Sequence, residues 1–215
     1  MKKTILKNFL AAMFVVVLTT GHTVAQEMTG AIVNVAETLN LTDKQAAQVQ
    51  NLLVQYRANL DGILLKYEDL EEPDVAAMIG EVRGVRDDYR KDLKEILNET
   101  QYDGYMATID SILTDMFNDL AEIRLIDIQK EVGLTDQQLM SLIPIVGKGL
   151  KKTVQLLFEN AGERLSLPKK VKIKNSLKKI EKERRAGMET ILSPDQMEVY
   201  DAFKEAQKEE RKKKK

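Results

Sequence analysis

The chain has 215 residues, no cysteine and a single histidine, His22; 33 basic and 34 acidic side chains leave a formal net charge of −1. His22 lies within residues 1–25, which read as a cleaved signal peptide, so the exported chain is expected to have neither histidine nor thiol; that excludes disulfide staples and the common serine, cysteine and zinc-dependent hydrolases, which need a His base or His and Cys ligands. Carboxylates, Lys and Tyr remain, but no isolated acidic pair has a recognisable chemical setting. No catalytic, cofactor-binding or metal residue is therefore expected, and the chain reads as a non-enzyme.

Residues 1–25 read as a secretory signal peptide. Lys2, Lys3 and Lys7 make a basic start, Phe9 to Leu18 is a run of ten apolar residues, and Thr23-Val24-Ala25 is a small-residue cleavage site. The competing reading, a membrane anchor, needs roughly 20 apolar residues. The expected location is the periplasm, or the medium if the protein is secreted.

A first helical unit is expected over 26–130. Val49, Leu52, Leu53, Tyr56, Leu60, Ile63, Leu64 and Tyr67 recur at steps of three and four, the apolar face of one helix. Glu71-Glu72-Pro73-Asp74 breaks that pattern. Val75, Met78, Val82, Val85, Tyr89, Leu93 and Ile96 mark a second helix packed on the first. A long run from Tyr102 through Ile112 and Leu120 to Val132 predicts one helix that leaves this unit and leads into the next.

Residues 131–215 repeat the pattern, with a basic tail. Shifted by 93 positions, Leu41-Thr42-Asp43 falls on Leu134-Thr135-Asp136; shifted by 95, Ile96-Leu97-Asn98 falls on Ile191-Leu192-Ser193. The two extra residues are expected between Asn160 and Pro168. In this copy Pro144, Gly147 and Gly149 interrupt the helix from Asp136 to about Asn160, with a kink expected at the proline. No alternating strand pattern occurs. The fold expected is all-α: two tandem helical-hairpin units joined by a long bridging helix.

Four short phrases mark the joints: "NLTDKQ" at Asn40, "ILNETQ" at Ile96, "GLTDQQ" at Gly133 and "ILSPDQ" at Ile191. Each places a cap three residues before a glutamine: Thr42 and Gln45, Asn98 and Gln101, Thr135 and Gln138, Ser193 and Gln196. The cap side chain accepts from a first-turn N–H, and the glutamine reaches back to the cap's own N–H. Leu41, Leu97, Leu134 and Leu192 stand where a hydrophobic staple begins. Asn40 and Gly133 suit the left-handed turn that ends a helix.

The L-T-x-x-Q phrase, repeated 56 residues apart (Leu41, Leu97) and 58 apart (Leu134, Leu192) behind a signal peptide, resembles the Spy/CpxP-like family of periplasmic proteins. The resemblance covers most of the chain after residue 25. It implies an all-α, cradle-shaped protein without a nucleotide cofactor. Members of that family act as ATP-independent chaperones for unfolded envelope proteins, or as envelope stress regulators that bind a partner such as a sensor domain. Some bind metals, a branch that the missing His and Cys speak against. Typical members resemble one unit and pair as dimers; here both units lie in one chain, which leaves open whether they form an internal pseudo-dimer. The resemblance assigns no client-binding residues.

Charge divides the halves. Residues 26–130 hold 10 basic and 21 acidic residues; 131–215 hold 20 and 13. Three readings stay open: attraction between the halves within or between chains, binding of acidic clients or membrane headgroups by the basic half, or simple solvation. The basic run Lys169 to Arg185 has no aromatic side chain for base stacking, so no nucleic-acid partner is expected.

Overall fold

The structure, a computed structural model, describes residues 36–68, 74–161 and 166–213. The expected signal peptide lies outside the described residues, as does most of the break before Asp74. Every element among the described residues is helical. A helical turn at 36–38 precedes α1 (Asp43–Glu68), α2 (Val75–Ile96), α3 (Glu99–Val132), α4 (Asp136–Asn160), α5 (Leu167–Glu189) and α6 (Pro194–Lys213).

The described residues divide into two compact units, one within 36–111 with 158–161, the other within 112–157 with 166–213. Helix α3 is continuous through the first boundary. Its 34 residues contain Gly104, which the helix tolerates because Leu39 packs where a Cβ would stand.

In unit 1 the contacts between α1 and α2 run antiparallel. Tyr67 meets Glu81 near one end, Tyr56 stacks on Tyr89 in the middle, and Gln45 reaches the Ile96 carbonyl at the other end. The periodic apolar residues supply two cores. One joins Val49, Tyr89, Leu93, Leu97 and Tyr105; the other joins Ile63, Tyr67, Met78 and Ile79, with Phe158 and Ala161 packed against it. Asp74 starts α2 by accepting from the N–H groups of Ala76 and Ala77. Arg83 donates to the carbonyls of Phe158 (2.7 Å) and Ala161. Helix α4 has no basic residue in its own last turn, so this guanidinium from α2 supplies the cation that a helix C-terminus favours. Arg86 pairs with Glu159 and lies 5.0 Å from the Phe158 ring centroid.

Unit 2 has one core, built on Ala121, Leu125, Leu142, Val146, Met188, Leu192, Met197 and Tyr200. Lys152 pairs with Glu183, and the two terminal Arg185 guanidinium nitrogens, Nη1 and Nη2, meet the Asp201 carboxylate at 2.7 and 2.8 Å. That pair holds the Asp201 carboxyl below its ordinary range.

Helix α4 runs unbroken through the three residues expected to interrupt it. Pro144 removes one N–H, but the carbonyl it releases belongs to Met140, a residue 66% exposed, where water can serve it. The glycines are points of close approach. A Cβ on Gly147 would run into Asn118 and stand 3.0 Å from the Phe117 carbonyl of α3; one on Gly149 would lie 3.1 Å from the Arg184 stem.

Candidate functional site

The four phrases meet in pairs. In unit 1 the helical turn at 36–38 ends with Asn40 at φ 49°, a left-handed conformation. The Leu41 N–H bonds to the Ala36 carbonyl and the Asn40 N–H to that of Glu37, which together form a Schellman motif. Thr42 then starts α1. Its N–H donates to Gln45 Oε1 (3.1 Å), and the Gln45 N–H donates to Thr42 Oγ1 (3.2 Å), closing a capping box. At the start of α3, Asn98 and Gln101 form the same pair of bonds, at 3.1 and 2.9 Å.

Each glutamine has a second role. Gln45 Nε2 donates to the Ile96 carbonyl (3.0 Å) and to Gln101 Oε1 (2.9 Å). Gln101 Nε2 turns toward the Asn40 carbonyl and Gln45 Oε1, both at 3.4 Å. The oxygen of each amide thus caps its own helix, while the nitrogen closes the facing corner. A Glu could do the first but not the second, because a carboxylate donates no N–H.

Unit 2 builds the same object. Gly133 has φ 66°, and the Leu134 N–H bonds to the Gln129 carbonyl. Thr135 with Gln138, and Ser193 with Gln196, close capping boxes with bonds of 3.1 and 3.2 Å. Gln138 Nε2 donates to the Ile191 carbonyl (3.1 Å) and Gln196 Oε1 (2.8 Å); Gln196 Nε2 donates to the Gly133 carbonyl (3.0 Å). Beneath each clasp the leucines form an apolar floor: Leu97, Leu134 and Leu192 are buried, and Leu41 packs against the unit 1 core.

The clasp was not part of the sequence reading, which assigned each glutamine only its own cap. A signal was present. A capping box accepts Glu or Gln, yet all four positions are Gln. A uniform choice where two residues serve equally well points to a need for the amide donor.

The corners offer no reactive chemistry. The Thr42 hydroxyl lies 3.2 Å from Gln45 Oε1, an amide oxygen that is no base. Among the described residues no group of three or more His, Cys, Asp or Glu could share a metal ion. Nearby, Tyr89 and Tyr105 share a buried hydroxyl–hydroxyl bond of 2.6 Å, and burial pushes both phenols above their ordinary pKa. At the far end of α1, hydrogen bonds from Lys66 and Tyr67 hold the Glu81 carboxyl below its usual range.

What remains outside these joints is a surface. Ala47, Asn51, Val54, Ala58, Gly62 and Leu65 follow one exposed line along α1, at steps of three and four, with no charge among them. Val54 is 64% and Leu65 67% exposed. The Arg57–Asp61 ion pair edges the line.

Comparison with models of known families, with curated proteins and with solved structures found no match for this chain.

Proposed function

We propose that this protein is an exported, ATP-independent chaperone of the Spy/CpxP type, in which two tandem helical hairpins joined by α3 hold unfolded proteins of the cell envelope. The observation that carries the reading is the uncharged α1 stripe, whose Val54 and Leu65 stand in water while the opposite face of the helix, with Val49, Ile63, Leu64 and Tyr67, is packed. Apolar side chains left exposed in line, beside exposed charges, suit weak contact with many unfolded segments. The charges raise the encounter rate and the apolar contacts slow departure. The signal-peptide layout of residues 1–25 and the L-T-x-x-Q phrases support the location and the family resemblance.

The test is aggregation of an unrelated denatured protein, followed by light scattering without ATP. The purified chain should suppress it near stoichiometric amounts. No suppression at several-fold molar excess overturns the proposal. Recovery of one stoichiometric partner from envelope extracts, with no activity toward denatured proteins, would replace it with the adaptor reading.

A further inference from the structure

The first half of α5 is built against the usual rules for a helix start. Helices α1, α3, α4 and α6 each carry an acidic residue in the first turn, and α2 has Asp74 as its cap. Helix α5 has no acid in its first turn, and Ser166 makes no side-chain capping bond. Instead, residues 167–180 carry six lysines and no acidic residue. Lysines near a helix N-terminus oppose the helix dipole. Lys170, Lys172, Lys174 and Lys178 have no ion pair among the described residues.

The same face carries an apolar foot. Leu167 is 77% and Val171 56% exposed, one turn apart, with Pro168 beside them in a shallow groove lined also by Lys172 and Lys179. Lys170 and Lys174 border the foot on the other side, and Lys178 continues its line two turns beyond Val171. The inward face of α5 is separate and holds Ile173, Leu177 and Ile180.

We propose that this outer face of α5 is a docking surface for a membrane rich in anionic lipid. Four to eight cationic side chains around a small apolar face are the pattern by which a helix rests on such a surface. Lysine stems reach past the apolar foot while their ammonium groups stay at headgroup depth. An acidic polypeptide fits less well. Protein interfaces deplete Lys and draw on Tyr, Trp and Arg, none of which occurs between 167 and 180. A field of one sign without interspersed acids gives no register to a folded partner but suits a laterally uniform surface. The proposal is independent of the chaperone reading, since it needs no client.

The experiment is flotation of the full chain with vesicles of phosphatidylcholine, with or without phosphatidylglycerol. The chain should float with the anionic vesicles only, and less as salt rises. Lys172→Glu with Lys178→Glu should lower partitioning about tenfold or more. Leu167→Ser with Val171→Ser should weaken it several-fold and leave the salt dependence intact. All four positions are exposed, so circular dichroism should show unchanged helix. Equal flotation with neutral vesicles, or undiminished binding by the charge-reversed variant, overturns the proposal. So does retention on polyglutamate without flotation on either vesicle, which would assign the face to an acidic polypeptide.

Discussion

At the scale of the residue, each corner rests on a side-chain amide with two ends. Gln45 and Gln138 accept from a helix start with Oε1 and donate to a helix end with Nε2. Gln45→Glu keeps the capping acceptor, removes the donor, and brings a carboxylate against the Ile96 carbonyl and Gln101 Oε1. A half-buried polar group left unpaired costs about 1–3 kcal/mol, more when charged. Urea denaturation should therefore show a loss of about 2 kcal/mol or more for Gln45→Glu. A change within about 0.5 kcal/mol, the range of ordinary surface substitutions, would mean that the clasp contributes nothing. Asn40 and Gly133 show a related economy. Both hold the left-handed φ that ends a helix, one with the residue that adopts it at least cost and the other with a tolerated substitute.

At the scale of the element, helix starts were legible because capping is local. Thr42, Asn98, Thr135 and Ser193 lie within three residues of the glutamines they bond. The run from Tyr102 to Val132 was legible as one helix because no proline and only one glycine, Gly104, falls inside it. What joins distant elements was not legible. The clasp spans 56 residues in unit 1 and 58 in unit 2, and Arg83 caps a helix end 75 residues away. Gly147 misled for the same reason, since a glycine that weakens a helix in isolation is needed where α3 approaches.

The buried phenols of α1, α2 and α3 give this scale its test. Desolvation is the largest cause raising Tyr56, Tyr89 and Tyr105. A folded pKa above the unfolded value of about 10 means that the unfolded chain releases its protons first. The stability from these groups is thus fully present below about pH 10 and is lost as pH rises from there through the folded pKa values. Tyrosinate absorbance and helical circular dichroism should change together in an alkaline titration. Full ionisation of the tyrosines with helix intact would contradict the packing described.

At the scale of the whole molecule, the two halves of the chain carry opposite charge. The clasped corners recur in both units, but the surface between them is acidic in the first half and strongly basic along α5. Joints and surfaces are therefore separable by mutation. The central claim is that the four phrases hold the helices while the exposed apolar stripe of α1 holds the client. The direct measurement is aggregation suppression by two variants, each compared at temperatures where it is folded. Val54→Ser with Leu65→Ser should keep the wild-type melting temperature and lose most of the suppression. Gln45→Glu should melt lower yet suppress aggregation as well as wild type while folded. Full suppression by the stripe variant, or its loss in the folded clasp variant, would contradict the account.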